Sequence, residues 1–441
     1  MRARLRITVL GTGYLGTAHA VCLAGLGFDV LGVDTDPAKV SALALGELPF
    51  YEPGLRSLLR RSLAAGRLRF AASYADAAAF GDVHFVCVGT PQQPGSHQAD
   101  LSQLAACVET LAPLLARPCL VVGKSTVPVG TAAWCAERLA SLSPAGRGAE
   151  LAWNPEFLRE GHAVADTLRP DRIVAGVASS HAEALLRQVY AEPLAAGTPF
   201  LITDLATAEL VKVAANAFLA TKISFINAMA EVCEAAQADV LDLAAALGHD
   251  RRIGPEGLRP GLGFGGGCLP KDIRAFMARA SELGVGHALR FLGEVDAINT
   301  RRRARTVALA RELAGGSFAG RAVAVLGVAF KPDSDDIRDS PALDVAVTMH
   351  RLGARVSVFD PAAMDKARRS HPELDCAGSV LGAARDADVV LVATEWREIC
   401  DTDPEVLAKT VARRAIVDAR NALDPVRWRA AGWTYRAPGR R

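Results

Sequence analysis

Apolar and polar positions follow two periods along this chain. Near the start, Arg6-Ile-Thr-Val-Leu10 is a short apolar run ending in glycine; an apolar helical stretch follows to about Leu26, then a second run, Asp29 to Val33. Asp82 to Val88 and Cys119 to Val122 continue the strand–helix alternation, the pattern of a parallel sheet with crossover helices. The period then changes. From Asp204 to Asp239, Leu205, Leu210, Val213, Phe218, Ile223, Ile226, Met229 and Val232 recur at helical spacing with no Pro or Gly inside, which predicts one long helix. Leu241 to Leu247 predicts a short helix, and Ile273 to about Leu313 a helical stretch broken near Gly284 and Gly286. After Gly315-Gly316 the first pattern returns. Arg321 to Gly327 echoes Ile7 to Gly11, Arg355 to Pro361 echoes Val30 to Pro37, and Ala387 to Thr394 echoes Asp82 to Thr90. The expected fold is α/β, with two doubly wound Rossmann-like domains (1–203 and 315–441) joined by a central helical segment (204–314).

At 441 residues the chain has length for two or three domains with sizeable cores. Half the residues are hydrophobic and 22% are charged, as in soluble globular proteins. A formal net charge of +2 points to neither nucleic acid nor an anionic membrane. The start, Met1-Arg-Ala-Arg-Leu-Arg6, is basic, but Ile7 to Leu10 is too short for a signal peptide, and no run of 18 apolar residues exists. A cytoplasmic location is expected. Nine scattered cysteines without a CxxC pair argue for reduced thiols, with no disulfide framework and no metal site.

The candidate chemistry falls at the ends of the predicted strands. Gly11-Thr-Gly-Tyr14-Leu15-Gly16 is a GxGxxG turn in a strand–turn–helix–strand setting. Gly11 makes the tight turn, Gly13 admits a pyrophosphate, and Gly16 lets helix pack on strand. Asp34, eighteen residues beyond Gly16, is placed to accept from a ribose diol and to repel a 2′-phosphate, so NAD is expected rather than NADP. Thr90 follows the next strand. Thr126, in Gly123-Lys-Ser-Thr-Val-Pro-Val-Gly130, either bonds a ligand or caps a helix. Glu156 and Glu160 are four apart, expected on one face of a short helix, as a solvated acidic face or a general base. Lys212 and Asn216, also four apart, are a polar pair within an apolar helix. In Gly263-Phe-Gly-Gly-Gly-Cys268-Leu-Pro-Lys271-Asp272 a thiol lies beside a cation and a carboxylate, so Cys268 is a candidate nucleophile, with a small buried Cys as the alternative. The second α/β half opens with Gly327-Val-Ala-Phe-Lys-Pro332, without the later glycines, so a different nucleotide is expected there; Lys331, Arg338 and Arg420 are available cations, or surface ion pairs.

In order, Gly11 to Gly16, Val88-Gly-Thr-Pro91, Ser125 to Gly130, Asn154 to Glu160, Lys212 with Asn216, Phe264 to Asp272 and Phe330 to Arg338 resemble the UDP-glucose/GDP-mannose dehydrogenase family over nearly the whole chain. Arg252-Ile-Gly254, Thr394-Glu-Trp396 and Asp418-Ala-Arg-Asn421 are most similar to its UDP-glucose branch; Gly267 stands where Ser, Pro or Tyr is commoner. The resemblance implies a four-electron oxidation of a primary alcohol to a carboxylate with two NAD, the first domain binding NAD and the last the nucleotide. It implies catalytic roles for Cys268, Lys212, Asn216, Asp272, Glu156 and Thr126. Asp34, Lys39, Thr90, Thr126, Glu160, Lys271 and Arg338 are implied to contact NAD with the glycine turn. Glu156, Phe157, Leu158, Arg159, Glu160, Lys212, Asn216, Gly257, Leu258, Arg259, Pro260, Gly261, Gly265, Phe330, Lys331 and Arg420 are implied to contact the nucleotide sugar, UDP-glucose first. Arg252 would reach the sugar from a neighbouring subunit, making a homodimer part of the active site. Three other readings stay open: the same chemistry on GDP-mannose or another nucleotide sugar, a two-electron hydroxyacid-type dehydrogenase, and a nucleotide-binding protein without catalysis.

Overall fold

The computed structural model describes residues 4–440; Met1-Arg2-Ala3 of the basic start, and Arg441, lie outside the described residues. The chain forms two compact units. The first runs to Ala215 and includes Arg274–Gly284; the second holds Asn216–Ile273 and continues from Val285.

The first unit is built on eight strands: β1 Arg6–Leu10, β2 Asp29–Val33, β3 Leu68–Ala71, β4 Val83–Val86, β5 Cys119–Gly123, β6 Ala149–Trp153, β7 Ile173–Val177 and β8 Phe200–Thr203. Their order is β3-β2-β1-β4-β5-β6-β7-β8, parallel throughout except between β6 and β7. The strands expected from sequence are β1, β2, β4 and β5, all largely buried; β7, apolar and buried, is not among them. β3 and β6 escape that reading because Arg69 and Glu150 interrupt their apolar runs, and β8 because it is a partly exposed edge. The helix Tyr14–Gly25 buries every residue from Gly16 to Ala24.

The second unit carries six parallel strands: β9 Ala322–Leu326, β10 Arg355–Phe359, β11 Asp375–Cys376, β12 Val389–Val392, β13 Ala415–Asp418 and β14 Thr434–Arg436. Their order, β11-β10-β9-β12-β13-β14, repeats that of the first sheet from β3 to β6. The echo extends to single bonds. Gly11 N donates to Val33 O at 2.8 Å with φ +87°, and Gly327 N to Phe359 O at 2.7 Å with φ +93°.

The long helix is real, Leu205–Ala236. Among the described residues it is the one helix long and apolar enough to cross a membrane by length and composition, but Glu209, Lys212 and Asn216 are buried along it in protein contacts. The helices Val240–Gly248, Leu269–Glu282 and Arg290–Leu313 follow, with the expected break at Gly284 and a 3₁₀ turn from Gly286. One expectation fails. Asn154 to Glu160 is irregular backbone, with no helix. Its polar groups find other partners: Leu158 N donates to Glu156 itself at 2.5 Å, and just beyond, Gly161 N and Ala163 N donate to Glu52 at 2.7 and 2.8 Å. Carboxylates thus take N–H groups that a helix would otherwise use.

Candidate active site

The glycine turn fits a dinucleotide. A Cβ on Gly16 would collide with Gly11 O, so the close packing of helix on strand requires glycine. A Cβ on Gly13 would meet nothing within 4 Å. Gly13 is also the N-cap of Tyr14–Gly25 and supplies no side-chain cap, which leaves the first turn of the helix without a side-chain acceptor, an end suited to an anion. The Tyr14 hydroxyl donates to Glu52, and Gly161 N donates to it at 3.0 Å, which ties the turn to the segment after Glu160.

Asp34 accepts on Oδ2 from Thr12 N (2.8 Å), Thr12 Oγ1 (3.0 Å) and Lys39 Nζ (2.9 Å), but on Oδ1 from Asp36 N alone among the described residues. One lone pair stays available for a ribose hydroxyl. Burial works against its charge, yet Lys39 and the N–H groups of Asp36 and Thr12 outweigh burial and hold the carboxyl below its ordinary value. Lys39 is therefore a partner of Asp34 before it is a partner of any ligand. The Thr90 hydroxyl donates to Thr126 O at 2.7 Å, and Ser125 Oγ to Val88 O at 2.6 Å, so the loops after β4 and β5 are stitched together at the carboxyl ends of their strands, where open α/β sheets bind ligands.

On the long helix, Lys212 holds Glu156 at 2.9 Å with 5% and 11% of the two side chains exposed. Arg172 lies 3.9 Å and Lys212 5.7 Å from the Phe157 ring centroid. Arg159 pairs with Asp166 through Nε at 3.0 Å and Nη2 at 2.7 Å; Leu158 and Glu160 are partly buried.

In the second unit, Cys268 directly precedes the helix Leu269–Glu282, and Asp272 N donates to its carbonyl at 2.9 Å. Of nine cysteines, all among the described residues and all free thiols, Cys268 alone is exposed. Asp272, 2% exposed, accepts from Asn216 Nδ2 at 2.6 Å and pairs with Lys271 Nζ at 2.5 Å. The glycines before Cys268 have separate causes. A Cβ on Gly265 would strike Asp339 O, on Gly266 the Phe330 ring, and on Gly267 the Arg338 guanidinium. The unusual Gly267 thus makes room for Arg338, which is clamped on Asp336 through Nε at 2.9 Å and Nη2 at 2.6 Å.

Arg420 donates to Ala393 O (2.7 Å), Phe330 O (3.0 Å) and Gly263 O (3.2 Å), drawing three loops of this unit together. Lys331 Nζ stands 5.7 Å from the Phe330 ring centroid. In the 257–261 loop, Gly257 has φ +78°, Leu258, Pro260 and Gly261 are buried, and Arg259 is exposed. Arg252 is 89% exposed, anchored by Asp250 at 2.6 Å. Asp360 occupies the place of Asp34 in the second sheet, yet it accepts from Val328 N, Ala329 N, Ala362 N, Ala363 N and Trp396 Nε1.

Sequence reasoning missed several residues. Lys124, buried, donates to Asn154 Oδ1 at 3.0 Å and Tyr190 OH at 3.3 Å, and burial brings its ammonium down to about 8. Asn299 brackets Phe264 with bonds of 2.8 and 2.9 Å, and Asn227 takes Gly261 N at 2.8 Å. Glu209 is buried on the same helix as Lys212. The only available signal was polarity inside apolar runs, as with Lys212 and Asn216.

Residues 5–194, 206–301 and 324–425 match the NAD binding domain, the central domain and the UDP binding domain of the UDP-glucose/GDP-mannose dehydrogenase family. The chain is 40% identical over 438 residues to a UDP-glucose 6-dehydrogenase of Rhizobium meliloti, covering 99% of this chain and 100% of that one. It is 40% identical over 447 residues to one of Pseudomonas aeruginosa, covering 99% and 98%. Its fold matches a UDP-glucose dehydrogenase from the archaeon Pyrobaculum islandicum with a TM-score of 0.91 at 37% identity, covering 100% and 98%.

Proposed function

The chain belongs to the UDP-glucose/GDP-mannose dehydrogenase family, and on that premise we propose that it oxidises UDP-glucose at C6 to UDP-glucuronate through a thioester on Cys268. It is an NAD-dependent nucleotide-sugar dehydrogenase. The observation that carries the covalent step is the placing of Cys268: the one exposed thiol, at the start of a helix whose first turn buries Asp272. A helix N-terminus favours the anionic, reactive thiolate.

Bound NAD supplies the hydride acceptor for both oxidations. Asp272, through a water, takes the C6 hydroxyl proton while C6 loses hydride, and the Lys212 ammonium steadies the alkoxide. The Cys268 thiolate then adds to the aldehyde carbon, forming a C–S bond, and the oxygen takes a proton to give a thiohemiacetal. Loss of that proton and of a second hydride leaves a thioester. A water deprotonated by Glu156 attacks it, Lys212 and Asn216 hold the tetrahedral oxyanion, and the C–S bond breaks to release carboxylate and regenerate the thiolate.

The cofactor contacts we assign are Gly11 to Gly16, Asp34, Lys39, Thr90, Thr126, Glu160, Lys271 and Arg338. Glu156 to Glu160, Lys212, Asn216, the 257–261 loop, Gly265, Phe330, Lys331 and Arg420 serve the nucleotide sugar. A homodimer is supported by a stripe on the long helix: Phe218, Phe225 and Val232, seven apart, are 67%, 47% and 55% exposed, the spacing at which two helices pack along a seam. In that dimer Arg252 serves the neighbouring subunit's site. Nine free thiols fit a reducing compartment, the cytoplasm.

The test is NADH stoichiometry with limiting nucleotide sugar and excess NAD. Two NADH per UDP-glucose with a carboxylate product is expected. One NADH would remove the role given to Cys268, and two NADH from GDP-mannose alone would replace the substrate.

A further inference from the structure

Glu209 is 2% exposed on the long helix, and no step above uses it. Its carboxylate receives Gly130 N at 2.7 Å and Ala132 N at 2.5 Å. These donors open the helix Thr131–Leu142, whose N-cap, Gly130 with φ +98°, has no side chain to cap it. A carboxylate reaching in from another element satisfies the orphan donors and the positive end of the helix together. Beside it, Arg279 Nε donates to Val129 O at 2.9 Å. The β5 loop, Lys124 to Gly130, is therefore fixed at its far end by Glu209 and Arg279. At its near end it is fixed by the Ser125–Val88 and Thr90–Thr126 bonds.

We propose that Glu209 is a positioning residue for the cofactor: by capping the helix at Thr131 it sets the Ser125–Gly130 loop, and with it Thr126 and Thr90, in the geometry that receives NAD. The proposal rests on the NAD-binding reading of the first unit. Glu209 acts through the loop and touches no substrate.

The clamp has a built-in sensitivity to pH. Two N–H groups need two accepting oxygens, and a protonated carboxyl accepts poorly at its hydroxyl. Burial pushes the Glu209 carboxyl up to about 7, against the lowering effect of the Gly130 and Ala132 N–H groups and of Arg279. The charged or titratable groups facing it are Arg279, from the helix Leu269–Glu282, and Cys135, from the capped helix; burial and Glu209 push the Cys135 thiol up to about 12. As pH falls through about 7 the carboxyl gains a proton and the cap loses one of its two accepting oxygens.

The experiment is direct NAD binding, by calorimetry without nucleotide sugar, from pH 6 to 8.5. Wild type is expected to bind about three- to tenfold more weakly at pH 6 than at pH 8. Glu209→Gln, which offers one acceptor and one donor, is expected to bind weakly at every pH with a flat profile. Arg279→Met, which removes a nearby positive charge, is expected to move the wild-type midpoint to higher pH, and it keeps the test open should Glu209→Gln fold poorly. A purely structural Glu209 would lower the urea midpoint of the variant and leave NAD affinity and its pH profile as in wild type. That result, a flat wild-type profile, or an Arg279→Met midpoint that does not move overturns the proposal. Wild type that binds no NAD at any pH would instead sink the functional reading itself.

Discussion

The side-chain amide of Asn216 donates to the buried carboxylate of Asp272 at 2.6 Å. One helical turn earlier, Lys212 holds Glu156 at 2.9 Å. A single helix thus presents an amide to one carboxylate and an ammonium to another. Asp272→Asn is expected to lower kcat by about 10²–10⁴-fold, with KM for UDP-glucose within threefold of wild type. Asn216→Ala, which strips a donor from a buried carboxylate, is expected to lower kcat and to cost about 1–3 kcal/mol of stability. Steady-state kinetics beside urea unfolding separates the two effects; a change confined to KM would make both residues binding groups.

Cys268→Ser is expected to abolish carboxylate formation while leaving UDP-glucose affinity intact, since it changes one atom of an exposed side chain. Exposure also predicts the chemistry of the native thiol. Brief treatment with iodoacetamide should modify Cys268 ahead of the other eight cysteines, with inactivation proportional to labelling. Peptide mass spectrometry reads this, and carboxylate produced by the serine variant at near wild-type rate would rule out the thioester.

The glycine turn predicts two opposite phenotypes from one substitution. Gly16→Ala drives a methyl group into backbone and is expected to destabilise the fold by at least about 1–3 kcal/mol. Gly13→Ala meets no protein atom, so it is expected to unfold at the wild-type temperature and to bind NAD at least tenfold more weakly. Thermal melts and NAD titration of the purified variants decide.

Asp34 and acid stability have a definite sign. Its folded-state value lies below its ordinary one, so the stability it contributes is fully present above about pH 3.9 and is lost as pH falls through the lower folded value. Asp34→Asn is expected to lower the urea midpoint by a constant amount from pH 9 to 5, with the gap to wild type narrowing in stronger acid. A pH dependence of NAD binding near pH 7 cannot come from this residue, because it stays ionised throughout that range.

The sequence made the positions of the candidate residues along the fold legible because glycine and proline punctuate it. The Gly263–Asp272 loop, the turn at Gly11 and the helix bearing Lys212 and Asn216 all stand where patterning places them. Partners in space were less legible. Glu209 in an apolar helix reads like any solvated glutamate until Gly130, 79 residues away in sequence, is found donating to it. The Glu156–Glu160 segment misled for a related reason: a spacing of four suggests a helix only when no side chain competes for the backbone, and here Glu156 and Glu52 both do. Gly267 looked like a departure, and its cause lies on a loop beyond the next two helices, at Arg338.

Asp34 and Asp360 end the same strand of the same frame, yet one keeps a vacant acceptor and the other has five donors crowded upon it. A ribose diol offered to the second frame would have to displace backbone amides from a carboxylate only 1% exposed. The repeated architecture therefore does not duplicate the binding site. The second copy is locked against dinucleotides by the saturation of one side chain, so abundant NAD would not compete there for a nucleotide sugar. A chain that used one topology twice would otherwise offer its cofactor two homes.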